Sequence, residues 1–512
     1  MRNVLVVTLL VAALLAGCSG GHKKDPTDPT PPVVDNGSPF APLVAPVVHR
    51  SNGRIVDASL YPGELPVFAE RYIAERGGGE PTIAVNSRGE AIYPTIAFDL
   101  NLVATSLATT QVYGTKDDGV TWTEVTPKLA ANINAAPTSL DPYVYADPVT
   151  GRLFNIDLNL ANGAFLSWTD DGGQTWTSNP VCCGIPVDDH QTLFSGPATT
   201  LVAPLYQDRI LYFCINQIAS SSCSKSLDGG LTWLAPTSAF PGVEAPGEGG
   251  GGGLCGGLHG HGHASEVTGT VFVPKGQCGR AELARSADNG LTWDEVIVDN
   301  TVGIDGHEAI VSTDKEGNVY YFFLDGKTLP RLSISRDDGV TWSDPINVTA
   351  PGVTRAKFPS VVAGDTGHVA FLYLGTSSPH GQTMYSQDEE NLTYAENATW
   401  NGYVGFSLDA LSEDPVFATV TAHEPADPLH RGDCAGRCQV TNGGMYDFLD
   451  IDVRPDNGQV WVAVIDNCNH DADPNKEHAE CAAQDGTIDS VRRARAAVGV
   501  QVGGTFLGSA LP

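Results

Sequence analysis

An eight-residue motif that returns five times at blade-length intervals, abundant and evenly spread glycine and proline, and few helix signals predict an all-β fold: a β-propeller of four-stranded blades. The motif reads Ser/Thr-x-Asp-x-Gly-x-Thr-Trp and begins at Thr115, Thr169, Ser226, Ser286 and Ser335. Its tryptophans, Trp122, Trp176, Trp233, Trp293 and Trp342, lie 49 to 60 residues apart, which allows one motif per blade. A sixth, worn copy is read at Ser386-Gln-Asp388, ending on Tyr394. The 57 glycines and 34 prolines suit many short strands joined by turns.

The chain opens with Arg2 and an apolar run from Val4 to Leu15, too short to span a bilayer. Leu15-Ala16-Gly17-Cys18 follows and resembles the lipobox of bacterial lipoproteins. That resemblance implies acylation of Cys18, with residues 1–18 as the signal peptide. Residues 19–46 hold Asp25-Pro-Thr-Asp-Pro-Thr-Pro-Pro32 and are read as an extended tether. Residues 47–512 are left as a single propeller. The expected location is the cell envelope, outside the cytoplasm and bound to the membrane through Cys18.

Cysteine usage agrees with export. Of 11 cysteines, 10 remain once Cys18 is set aside. Cys214 and Cys223, Cys255 and Cys278, Cys434 and Cys438, and Cys468 and Cys481 are close enough to close loops as disulfides. The adjacent Cys182 and Cys183 form a vicinal bridge or pair elsewhere. The formal net charge is −31, which repels nucleic acid and anionic lipid and excludes both as partners of the folded surface.

Seven segments between the motifs begin with a polar residue and run into an apolar strand. They start at Glu80, Asp141, Asp188, His259, Asp305, Lys357 and Tyr446. Gly317–Phe323 and Gly458–Val464 read as second strands. Seven starts favour seven blades, with six as the alternative. The last blade takes in Tyr446–Asp466 and 494–503, and a strand between Val47 and Pro66 closes the ring. Gly242–His263 and Cys468–Ile488 read as insertions.

The five motifs are similar to the Asp box of the sialidase superfamily. In such turns the aspartate accepts backbone N–H hydrogen bonds, the glycine supplies a left-handed residue and the tryptophan packs into the blade. The resemblance covers about residues 80–504. It places the boxes on the face away from the site, so their aspartates are expected to be structural. It also implies a tyrosine nucleophile paired with a glutamate, because a phenol of pKa about 10 needs help to lose its proton. Tyr446-Asp-Phe-Leu-Asp450 resembles the family's tyrosine strand and His307-Glu308-Ala-Ile-Val its glutamate strand. Asp189 is the candidate acid. The family's arginine clamp for a substrate carboxylate is not matched. Gly79-Glu-Pro-Thr-Ile83 stands where Arg-Ile-Pro is expected, and Phe323-Leu-Asp325 stands where a second arginine is expected. Cys255-Gly-Gly-Leu-His-Gly-His261 and His430-Arg-Gly-Asp-Cys434 resemble segments of secreted, often lipid-anchored sialidase-like proteins.

The expected activity is therefore an exo-glycoside hydrolase acting on a glycan, with Tyr446, Glu308 and Asp189 as its reacting groups. Two other readings stand beside it. His190, His261, His263 and His307, with Asp189 and Glu308, could hold a divalent cation at the channel mouth, or could form a hydrogen-bonded polar plug. A propeller that binds glycan or protein without chemistry is the third.

Overall fold

The computed structural model describes residues 46–73, 80–97, 109–127, 141–159, 163–183, 189–199, 202–217, 220–240, 256–277, 279–305, 309–377, 399–424, 428–431, 449–466, 495–509 and 511. Seven antiparallel sheets follow one another along the chain, and the described residues contain no α-helix. The seven-blade reading is correct. Each sheet is a meander whose first strand lies innermost, and the innermost strands are Ala84–Val85, Pro142–Ala146, Asp189–Pro197, Gly256–His259 with His263–Ala264, Ile310–Thr313, Arg355–Ala363 and Asp450–Val453. Part of the stretch read as the first insertion, Gly256–His263, is thus the inner edge of the fourth blade. Residues 242–255 and 468–488 lie outside the described residues.

The ring closes through the N-terminal segment, one strand later than expected. Val67–Tyr72 pairs with Arg495–Gly503 and completes the seventh blade. The strand inside the expected window, Val47–Arg50, instead pairs with Val416–Thr421 as an added outer strand of the sixth blade. The physical reason is pattern. Val47–Arg50 has buried Val48 and His49, and the imidazole of His49 stacks on Phe417. Val48 belongs to the cluster between the sixth and seventh blades, and Phe68 packs against that same cluster.

Apolar side chains from neighbouring blades form seven separate clusters, one at each blade–blade junction. This explains why inner and middle strands are apolar on both faces, as in Val319–Leu324 and Val460–Asp466, which are buried throughout. Trp461, fully buried, joins the seventh blade to Tyr93 and Ile83 of the first.

The five Asp boxes are built alike. In the fifth, Thr341 donates from its backbone N–H and its hydroxyl to Asp337 at 2.8 and 2.6 Å, Ser335 Oγ donates to the same carboxylate at 2.8 Å, and Gly339 has φ 82°. The Thr175 donors hold the Asp171 carboxyl down at about 2. Each box follows a third strand, which runs parallel to the inner strand, so the boxes lie at the end where inner strands finish. The Ser386 copy lies outside the described residues. A degenerate sixth box instead stands at Ser407-Leu-Asp409, where the strand order requires one: Ser407 Oγ and the Val416 N–H donate to Asp409 Oδ1 at 3.0 and 2.9 Å.

Cys214 and Cys223 form a cross-strand disulfide in the third blade, and Cys182 is bonded to Cys183, whose φ is 88°. The remaining paired cysteines and Cys18 lie outside the described residues.

Candidate functional site

Seven inner strands run side by side in one direction and enclose the propeller axis. Each junction near the axis carries a polar link from one inner strand or its approach to the next. Thr82 Oγ1 accepts from Val144 N–H, Tyr145 Oη from Ser195 N–H, and Thr192 Oγ1 from Gly262 N–H. His263 Nε2 is hydrogen-bonded to Thr313 Oγ1 at 2.9 Å, Ser312 Oγ accepts from Ala363 N–H, and Ser360 Oγ lies 3.5 Å from Asp450 Oδ1. Two carboxylates close the circle: Asp450 accepts from Ile83 N–H at 3.0 Å and Asp452 from Val85 N–H at 2.7 Å. The spacing of two residues fits the strand period, which puts both carboxyls on the face toward the first blade.

The enclosed channel has a volume of about 140 Å³ and is lined by residues of all seven inner strands. This is below the roughly 300–1,000 Å³ of small-molecule pockets, so a sugar ring would sit at a mouth and not inside. Asp452 faces this channel and is half-buried. Burial pushes its carboxyl up to about 8, against the pull of the Val85 N–H and with help from Asp450. At the Asp-box end Arg209 pairs with Asp147 at 3.0 Å and with Glu266, a lining residue, at 2.6 Å, and donates to Ser195 Oγ.

The opposite mouth, where the inner strands begin, is irregular. Glu80, His190 and Phe358 lie at or beside strand starts of the first, third and sixth blades with φ of 47°, 47° and 55°. Register shifts mark the same end of three inner strands, between Asp189 and Thr192, Gly256 and His259, and Lys357 and Ser360. Left-handed non-glycine residues are costly and bulges re-aim side chains, and both gather at functional sites. The mouth also buries charge. Glu80, Arg355 and Lys357 are each under 5 % exposed. Arg355 was missed by the sequence reading, which began that strand at Lys357; a charged residue two positions earlier, in the alternation of the same strand, was the available signal.

Of the candidate residues, His190 is buried at its left-handed turn, and Asp189 begins the same strand with its side chain outside the described set. The three histidines of the fourth blade go separate ways. His259 is 1 % exposed, has Nδ1 bonded to its neighbour's carbonyl at 2.9 Å, and is pushed by burial down to about 3. His261 lies across the channel with Nδ1 3.5 Å from Asp450 Oδ1 and its ring edge-on to Tyr143. His263 is taken by Thr313, and burial, aided by Arg209, pushes it down to about 4. The chain between them is crowded at Gly260 and Gly262. A Cβ at Gly260 would strike the Ala309 carbonyl, and one at Gly262 the ring of Phe194, so these glycines permit the close approach of neighbouring strands. Among the described residues no group of three His, Cys, Asp or Glu side chains is arranged to hold a metal ion. Tyr446, Glu308 and His307 lie outside the described residues.

The Asp-box geometry and the closed ring of blades decide the architecture. It is a seven-bladed β-propeller with Asp-box turns. No family model matches the chain, and no curated protein matches it. Similar solved structures include a protein of unknown function from Dyadobacter fermentans, with 14% identity, TM-score 0.41 and 87% and 100% of the two chains covered. A mutant of NanB sialidase from Streptococcus pneumoniae shows 11% identity, TM-score 0.40 and coverage of 88% and 73%. The BP39L lectin from Burkholderia pseudomallei shows 8% identity, TM-score 0.44 and coverage of 76% and 93%. The seven blades stand on the chain's own strand pairing.

Proposed function

We propose that this chain is a cell-envelope propeller that acts on glycans at the mouth where its inner strands begin. The observation that supports this reading is the gathering at that mouth of left-handed Glu80, His190 and Phe358, three strand bulges and buried charge. Such backbone cost is retained where side chains must be held for a ligand. In this reading the Tyr446 phenolate, deprotonated by Glu308, attacks the anomeric carbon as the glycosidic C–O bond breaks. Asp189 gives its proton to the leaving oxygen. Water then cleaves the aryl–sugar bond, with Asp189 taking back a proton.

The test is turnover of a panel of aryl glycosides, a sialoside included, by the wild type, Tyr446→Phe and Glu308→Gln. Loss of the nucleophile or its base should lower kcat by about 10²-fold or more. Absence of turnover on every sugar would sink the hydrolase reading, and absence of binding on a glycan array as well would sink the glycan reading.

A further inference from the structure

The face opposite the mouth carries exposed apolar side chains that the fold does not need. Some have a plain origin: Val120, Leu231, Leu291 and Val340 occupy the same position of four Asp boxes and are each 57–63 % exposed. One junction differs. Between the second and third blades a crevice of about 520 Å³ opens beside Leu205, which is 86 % exposed, and Leu231 forms part of its lining.

The floor of the crevice is fixed in advance. Arg152 donates from Nε and Nη2 to the two oxygens of Asp170, both at 2.8 Å, and its guanidinium lies 5.7 Å from the ring centre of Trp168 and 5.3 Å from that of Tyr206. Tyr206 Oη is hydrogen-bonded to Thr150 Oγ1 at 2.8 Å. The turn that presents Leu205 is equally set. Leu205 N–H donates to Leu227 O at 2.7 Å, and Gln207 and Asp208 are left-handed at φ 47° and 60°. The rigid floor leaves the projecting leucines, Leu205 and Leu231, as the apolar surface that a partner meets. A sugar is disfavoured, because Trp168 and Tyr206 are each only 6 % exposed and Arg152 lies over both rings.

The charge around the crevice chooses the partner. Its lining holds two carboxylates, Asp170 and Asp228, against the single guanidinium of Arg152, and exposed Asp208 stands on the same turn. The whole chain carries −31. We infer that this junction docks a polypeptide segment that inserts an apolar side chain between Leu205 and Leu231 and flanks it with lysine or arginine.

The probe is a phage-displayed dodecapeptide library selected on the full chain, with enriched peptides then measured on the wild type, Leu205→Asp and Leu231→Asp. Both leucines are exposed, so the variants should melt as the wild type does, and that is checked first. Enriched peptides should pair an apolar residue with Lys or Arg, lose at least about tenfold in affinity on either variant, and weaken with added salt. The inference is overturned by peptides without basic residues, by equal affinity for the Leu205→Asp chain, or by no enrichment. A neutral oligosaccharide whose binding is lost in Leu205→Asp would overturn it too, by making the crevice a sugar site. Turnover at the mouth plays no part in the readout, so the two proposals stand or fall separately.

Discussion

Asp452 shows how far one side chain's chemistry can be set by its neighbours in space. Its carboxyl accepts from Val85 N–H and from its own neighbour Val453 N–H, yet burial lifts it from an ordinary value of about 4 to about 8. Asp157, buried in the second blade, is lifted by burial to about 7. A carboxyl raised in this way keeps a proton in the folded chain that the unfolded chain has released. Between roughly pH 4 and pH 8 the folded state therefore binds more protons, and rising pH costs stability. Asn at position 452 keeps the carbonyl acceptor and loses the titration. Thermal melts from pH 5 to pH 8 should show Asp452→Asn falling less steeply than the wild type; matching slopes would refute the raised value. His259 and His263, pushed down by burial to about 3 and about 4, act in the opposite sense below about pH 6.5, where the unfolded chain takes up protons that the folded imidazoles do not, so that acidification costs stability.

Among the elements, the Asp box was the most legible. Five copies of one local hydrogen-bond set can be read from eight residues each, because every partner lies within the turn. Asp337→Ala removes the acceptor for the Thr341 N–H and hydroxyl and for Ser335 Oγ, and should cost about 1–2 kcal/mol. A lowered urea midpoint with unchanged slope is the expected record, with turnover at the mouth untouched. No change in midpoint would mean the box does not hold its turn. The sixth box escaped notice because Ser407-Leu-Asp409 lacks the glycine and tryptophan, and its aspartate spends a bond on Val416 seven residues on. Crowding by neighbouring residues at Gly260 and Gly262 accompanies the division of the His-Gly-His-Gly-His segment into two short strands.

The propeller is a ring whose seventh blade is completed by Val67–Tyr72, so chain entry and ring integrity are linked. Val47 faces Thr419 near the end of the outer strand of the sixth blade. The chain thus enters on the side of the mouth, runs to the Asp-box side at Arg50, and returns through Val67–Tyr72. The proposed lipid at Cys18 would lead into this entry strand through residues 19–46. Cys18→Ala should abolish incorporation of labelled fatty acid and move the protein from the membrane fraction to the soluble one. Retention of label would refute acylation at Cys18. The charge of −31 makes a surface-adsorbed alternative to such an anchor unfavourable on anionic lipid.

By itself the sequence determined the blade, because a blade is made of local events: a meander, a box and an alternation of buried and polar positions. It marked the start of all seven inner strands for the same reason, and its second strands Gly317–Phe323 and Gly458–Val464 fall on the observed Val319–Leu324 and Val460–Asp466. Only the tertiary structure decided what meets at the axis. Asp450 and Asp452 reach Ile83 and Val85 across more than 360 residues, and Arg209 joins Asp147 to Glu266. No spacing in the chain encodes such meetings; they follow from ring closure. The same closure decided which N-terminal strand completes the seventh blade. Long-range contact depends on how junctions pack, and packing is settled by every blade at once.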